Sequence, residues 1–221
     1  MDTTRHESNR RFYDRIAGAY DLIADANERA ARRAGVAALA VGPGETVLEL
    51  GFGTGNEVLD LAALVGPTGT VAGIDVSPGM LAVAQGKVAA AAPAAKVNLR
   101  VADARALPFA AATFDAVYTS FTLELFPLDD IPVVLAEVRR VLKPGGRLAV
   151  VSMATVRPGH PVSALERTYV WMHRHFPHLV DCQPIDTDGL VAAAGFTVAT
   201  VADREIWTMP VRVVTARSPG E

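Results

Sequence analysis

Short apolar runs bounded by glycine and proline alternate with amphipathic stretches along most of the chain. Residues 45–50 (ETVLEL) follow Pro43-Gly44 and predict a first strand. Thr70 to Asp75, Val97 to Ala102, Phe114 to Ser120 and Arg147 to Met153 predict four more. Between them, Glu57 to Val65 reads as a helix. A second starts at Ser77-Pro78, with Ser77 as N-cap and Pro78 in the first turn, and runs to about Ala92, where Pro93 ends it. Near 130–142 an apolar stripe of Ile131, Val134, Leu135, Val138 and Leu142 predicts a third, stopped by a turn at Lys143-Pro144-Gly145-Gly146. Residues 8–40 read as two helices without strand pattern. The segment 155–185 leaves the alternation; Ser163 to Glu166 has capping-box spacing, and Leu165, Tyr169, Met172 and Phe176 share one side of the helix it would start. Asp186 to Ala194 predicts a last helix with Gly195 at C′, and strands near 196–203 and 209–216 finish the chain. Strand–helix alternation of this kind is the mark of an α/β fold, a parallel sheet with helices on both faces. No linker divides the 221 residues, so the expectation is one domain with an N-terminal helical cap at 1–40 and an insertion at 155–185.

Composition narrows the class. Half of the residues are hydrophobic and 20% are charged, enough to bury a core. A net charge of −3 argues against a general nucleic-acid binder. The single cysteine, Cys182, excludes an internal disulfide and a cysteine-based zinc site. The opening MDTTRHESNRR is polar, and no uncharged apolar stretch is long enough to span a bilayer. A soluble, cytoplasmic protein is expected; peripheral membrane contact and oligomeric state stay open.

The segment 47–58, VLELGFGTGNEV, carries the richest chemistry. A strand delivers the chain to Gly51, Gly53 and Gly55, and a helix follows. Closely spaced glycines admit a ligand where a Cβ would block it. In open parallel sheets, ligands bind at the C-terminal ends of the strands. The spacing G-x-G-x-G brings the third glycine one residue earlier than a dinucleotide fingerprint requires. Glu49, two residues before the first glycine, repels a pyrophosphate and welcomes a cation. S-adenosylmethionine, with a sulfonium, an ammonium and no phosphate, suits that charge better than NAD. Asp75 ends the second strand, where a carboxylate can accept both ribose hydroxyls. Asp103 follows the third strand and can accept from an adenine amino group, with a neighbouring backbone N–H reading a ring nitrogen and Met80 packing on the ring.

Several motifs now stand in order. They are Glu49-Leu50-Gly51-x-Gly53-x-Gly55, Gly73-Ile74-Asp75-Val76-Ser77, Asp103-Ala104 with Leu107-Pro108-Phe109, Phe114-Asp115, and the run Glu137 to Gly146. Together they resemble the class I S-adenosylmethionine-dependent methyltransferases, in the ubiquinone/menaquinone-biosynthesis methyltransferase-like branch. The resemblance is strong over roughly 12–155 and weak in the final strands. It implies a Rossmann-like, doubly wound, seven-stranded, mostly parallel sheet with a reversed last strand. It implies that Glu49 and the glycines hold the methionine part, Asp75 the ribose and Asp103 the adenine. Val76, Ala104 and Ser120 complete the expected cofactor set. The segment Phe12 to Asp21 also resembles that branch, whose tyrosine matching Tyr20 tends to close over the cofactor.

The stretch Thr119 to Phe126 should face the transferred methyl. It lacks the N/D-P-P-Y/F/W signature of enzymes that methylate exocyclic base amines, which speaks against a nucleic-acid base substrate. Glu124 lies in an apolar run and is a candidate general base, or a helix-start carboxylate. His160, His173, His175 and His178 cluster with Asp181 and Cys182, but their spacing and Pro177 disfavour a metal site. His173 is kept as a second candidate base. Asp129-Asp130 reads as an N-cap region rather than a magnesium site. Substrate choice is assigned to 1–30, 119–128, 155–185 and 204–212, rich in aromatic and aliphatic residues, so the expected acceptor is a small hydrophobic or aromatic molecule: a quinone precursor, a secondary metabolite or a lipid headgroup. Two alternatives remain: a non-catalytic S-adenosylmethionine-binding protein, and an NAD(P)-dependent oxidoreductase.

Overall fold

Strand β1 (Thr46–Leu50) is an inner strand of a seven-stranded sheet. The computed structural model describes residues 20–156, 183–206 and 208–220; the side chains of 20–27 lie outside that description. In chain order the elements are α1 (Tyr20–Leu39), β1, α2 (Asn56–Val65), β2 (Thr70–Asp75), α3 (Pro78–Ala91), β3 (Lys96–Val101), β4 (Phe114–Ser120), α4 (Ile131–Val141), β5 (Leu142–Met153), α5 (Thr187–Ala193), β6 (Thr197–Ile206) and β7 (Met209–Arg217). A single turn of 3₁₀ helix, Leu123–Leu125, follows β4. The strand order is β3-β2-β1-β4-β5-β7-β6. β1 to β5 are parallel, and β7 runs antiparallel to both β5 and β6, so the last strand is the reversed one.

Why the strands read as continuous apolar runs is visible in how they divide. On β1, Val47 packs with α1, α2 and α3, while Leu48 and Leu50 pack with α4 and α5. Ala116 and Tyr118 join the first cluster, Phe114 and Val117 the second. At these inner strands both faces of the sheet are covered, so no alternation of apolar and polar survives there, whereas the edge strand β3 keeps one over Lys96 to Val101. Glu49 is the exception: it takes a buried position on the α1–α3 face with a carboxylate. Helix α1 crosses β4, β5 and β7 on that face and approaches closely at Gly35, where a Cβ would overlap Val151 and Tyr118.

Two expectations change in detail. Residues 20–39 form one helix; the first of the two helices expected in 8–40 lies largely outside the described residues. Lys143 to Gly146 does not separate α4 from the fifth strand. Leu142 already pairs with Phe114, and Arg147 resumes pairing at Ala116, so the four residues bulge out of β5. Gly145, at φ 70°, makes that bulge, and Asp115 anchors it by accepting from Lys143 Nζ at 2.6 Å. The caps hold as expected: Ser77 Oγ accepts from Met80 N at 3.0 Å, and Gly195 closes α5 at φ 86°.

Candidate active site

The C-terminal ends of β1, β2 and β4 converge on the turn Gly51–Gly55. Gly51 N–H donates to Ile74 O at 2.8 Å and Gly55 N–H to Phe52 O at 2.8 Å. Lys87 of α3 ties the turn down by donating to Thr54 Oγ1 at 3.1 Å and Asn56 Oδ1 at 2.7 Å. All three glycines have left-handed φ values, 69°, 49° and 81°. Their surroundings differ. A Cβ at Gly51 would overlap Thr122, and one at Gly55 would lie 2.9 Å from Ala84 Cβ. These two glycines make room for the protein's own side chains, not directly for a ligand. At Gly53 a Cβ would meet nothing within 4 Å, so this glycine opens onto free space.

Beneath the turn is a buried charge cluster. Glu49 is 1% exposed, and its Oε2 finds no hydrogen-bond partner. Glu57, in the first turn of α2, is also buried and accepts from Arg32 Nη1 at 3.3 Å. Arg32, on α1, donates through Nη2 to Glu28 at 2.6 Å. Its guanidinium lies 5.4 Å from the centre of the Phe121 ring. Burial, then the charge of Glu57, drive the Glu49 carboxyl well above the usual carboxylate range, against the pull of Arg32. Neither Arg32 nor Glu57 was signalled by the sequence; they meet across 25 residues.

At the end of β2, Asp75 accepts from Gly53 N–H through Oδ2 and from Ser77 N–H through Oδ1, both at 2.9 Å. Val76 beside it is 37% exposed, an apolar surface at the rim, whereas Met80 and Ala104 are buried. Asp103 is more committed than expected. Arg105 grips it with Nη2 at 2.6 Å and Nε at 3.1 Å, and bridges on to Asp130 at 2.9 Å. Asp130 does stand at the N-cap of α4, but its side chain makes no cap hydrogen bond; it serves Arg105 instead.

β4 ends at the buried Ser120. Phe121 follows at φ 47°, a left-handed conformation that costs a non-glycine residue about 1–2 kcal/mol. Thr122 Oγ1 donates to Ser120 O at 2.9 Å while its side chain fills the space beside Gly51. Glu124, in the 3₁₀ turn, is 0% exposed. Its Oε1 accepts from Met153 N–H at 2.9 Å, and its Oε2 has no hydrogen-bond partner. Burial pushes the Glu124 carboxyl up to about 8, with the Met153 N–H pulling the other way. Its backbone carbonyl accepts from Gln183 N at 3.2 Å, which brings the end of the 155–185 segment to the site. The Tyr20 side chain, His173, the remaining histidines and Cys182 lie outside the described residues. Among the described residues no group of histidine, cysteine and carboxylate side chains could hold a metal, and no helix is long and apolar enough to cross a membrane.

Comparison with known proteins shows the family. Residues 47–146 match the model of a methyltransferase domain. A demethylmenaquinone methyltransferase from Halalkalibacterium halodurans is 34% identical over 179 residues, covering 79% of this chain and 70% of that protein. The chain belongs to the class I S-adenosylmethionine-dependent methyltransferases. Within them it falls in the ubiquinone/menaquinone-biosynthesis methyltransferase-like branch. A ubiquinone/menaquinone biosynthesis C-methyltransferase from Geobacter sulfurreducens is 33% identical over 159 residues, 70% of this chain, and the match spans 61% of that relative's length. A nocamycin O-methyltransferase from Saccharothrix syringae is 32% identical over 200 residues, 83% of this chain and 70% of the relative. Among solved structures, the [4+2]-cyclase SpnF superposes with a TM-score of 0.76 at 19% identity, covering 96% of both chains. An S-adenosylmethionine-dependent methyltransferase from Aquifex aeolicus gives 0.64 at 23% identity, covering 93% of this chain and 96% of that one. These structures share the fold.

Asp75 holds the N–H groups of Gly53 and Ser77, and it is also the residue expected to meet the ribose. Asp75→Ala is expected to weaken S-adenosylhomocysteine binding at least tenfold, about 1.4 kcal/mol, and to lower thermal stability by about 1–3 kcal/mol through the two orphaned N–H groups. Calorimetric titration and a thermal melt check both; unchanged affinity would remove Asp75 from the ribose.

Proposed function

We propose that this chain transfers a methyl group from S-adenosylmethionine to a small, largely apolar or aromatic acceptor, within a single methyltransferase domain whose 155–185 segment lies on the substrate side. One observation carries the cofactor half: a buried carboxylate with an unpartnered oxygen, Glu49, lies under a glycine turn that is open only at Gly53. An orphaned buried carboxylate calls for a cation, and the open glycine admits a ligand against the backbone. A phosphate-bearing cofactor would face the acidic cluster of Glu49, Glu57 and Asp75 instead.

Bound there, S-adenosylmethionine supplies a methyl group already activated on a sulfonium sulfur. The chain's own part is then alignment and proton handling. Glu49 offers its carboxylate to the ammonium end, Asp75 offers its carboxylate to the ribose, and Val76 offers apolar surface at the adenine side. Met80 and Ala104 back that side from within, and Asp103 meets the adenine while Arg105 holds its carboxylate in place. Ser120 borders the methyl, and Tyr20 is assigned the role of closing over the cofactor. Glu124 accepts the acceptor's proton at Oε2 as the new bond to carbon forms. The named relatives include a C-methyltransferase and an O-methyltransferase. C–H and O–H acceptors share one need, a group that takes a proton, and Glu124 meets it.

The experiment is transfer of labelled methyl from S-adenosylmethionine in the presence of a bacterial cell extract, followed by partition. Label in the organic phase is the expected result and leads to the acceptor. Label confined to small polar molecules would overturn the apolar acceptor. Cofactor binding with no transfer would return the chain to the non-catalytic alternative.

A further inference from the structure

Glu49 is a third carboxylate in a cluster whose single arginine is already shared. Arg32 is bonded to Glu28 at 2.6 Å and to Glu57 at 3.3 Å. The other charged groups acting on Glu49 are Glu57 and Asp60 from α2 and Asp75 from the end of β2, all acidic. From β4 comes the Tyr118 phenol, which is pushed up by burial and donates to Arg32 O at 2.9 Å. Among the described residues that act on Glu49, Arg32 is the one cation. A buried anion without a counterion is costly, and the group either neutralises itself or acquires a cation.

Resting on the cofactor reading above, we propose that Glu49 is carried as the neutral carboxylic acid in the cofactor-free protein and gives up its proton when the ammonium of an S-adenosyl cofactor takes the place of that proton. The balance is simple. The carboxylic acid becomes a carboxylate beside an ammonium, one proton leaves to the buffer, and no bond to carbon changes. Glu49 is then more than a fixed negative site. It selects a cofactor that carries an ammonium, because only such a ligand offsets the cost of ionising it. The upward displacement of its carboxyl by burial and by Glu57 agrees in sign. Affinity for an ammonium-bearing cofactor should therefore rise with pH wherever the free protein still holds that proton, by up to about tenfold per unit.

The test is calorimetric titration of the full chain with S-adenosylhomocysteine near pH 7, in two buffers of different ionisation enthalpy. About one proton released per site is expected. The same titration with 5′-methylthioadenosine, which keeps the ribose and adenine but lacks the amino-acid part, should release none, and it needs no variant. Glu49→Gln should bind S-adenosylhomocysteine at least tenfold more weakly and without proton release. Binding of S-adenosylhomocysteine with no release, or equal release with methylthioadenosine, would overturn the proposal and leave the cofactor reading standing. Release persisting in Glu49→Gln would move the proton to another group, Glu57 first, and overturn it as well. No binding of either nucleoside by the folded protein would overturn the cofactor reading and the proposal with it.

Discussion

Replacing Gly53 with valine is expected to lower affinity for S-adenosylhomocysteine by roughly 100-fold or more, about 2.7 kcal/mol, while the protein stays folded. The reason is the contrast among the three glycines of the turn. A Cβ at Gly53 meets no protein atom within 4 Å, so the substituent displaces only what binds there. The cost to the fold is backbone strain at φ 49°, about 1–2 kcal/mol. Gly53→Asn separates the two effects, since asparagine tolerates the left-handed conformation better but still projects a side chain. It should melt close to the parent protein and still bind poorly. Gly51→Ala should behave the opposite way. Its Cβ is driven into Thr122, and it sits at φ 69°, so the loss appears as lowered stability. Titration calorimetry and thermal melts of the three variants decide it. If Gly53→Val binds within about threefold of the parent, the cofactor does not approach the backbone at this turn.

That contrast also marks where reading the chain alone runs out. The G-x-G-x-G spacing announces a turn that needs left-handed backbone, and that much is local. Which glycine serves a ligand depends on Thr122 and Ala84, residues 71 and 29 positions away, and no local pattern encodes them. The inner strands were legible because a sheet covered on both faces demands unbroken apolar runs, and Val47, Leu48 and Leu50 supply one. The same rule made Glu49 conspicuous, a carboxylate inside such a run. The caps at Ser77 and Gly195 were legible because capping is chemistry within four residues. Arg32 was not. Its pairing with Glu28 has ordinary helix spacing, but its reach to Glu57 and to the Phe121 ring exists only once α1 lies across the sheet. Asp103 was placed as an adenine acceptor, with no sign that Arg105, two residues on, would grip its carboxylate. The bulge at Lys143 to Gly146 looked like a turn because its composition is that of one; only the pairing of Leu142 with Phe114 puts it inside a strand.

Glu124→Gln is expected to slow methyl transfer by roughly 10²–10⁴-fold while changing S-adenosylhomocysteine affinity only a few-fold. Glutamine keeps the shape of the protonated side chain, and its amide oxygen can go on accepting the Met153 N–H that Glu124 Oε1 accepts at 2.9 Å. What it removes is the ability to take a proton at the second, unpartnered position. With the Glu124 carboxyl pushed up to about 8, the parent's turnover should rise with pH and level off above that value, as the carboxylate forms. The variant should lack this inflection. Stability supplies an independent readout of the same ionisation. Between the ordinary carboxylate value of 4.5 and about 8, the folded protein holds a proton on Glu124 that the unfolded chain has lost. Its contribution to stability therefore falls as pH rises through that window, and Glu124→Gln removes that part of the slope. Turnover on the extract-derived acceptor and melting temperature, each measured from about pH 6 to 9.5, test both halves. A flattened stability slope with unchanged turnover would make Glu124 a buried structural acid whose ionisation the reaction does not use. A variant that keeps both the slope and the inflection would place the titrating group elsewhere. Loss of turnover together with the inflection, at nearly unchanged cofactor affinity, would leave proton removal from the acceptor as the step that Glu124 performs.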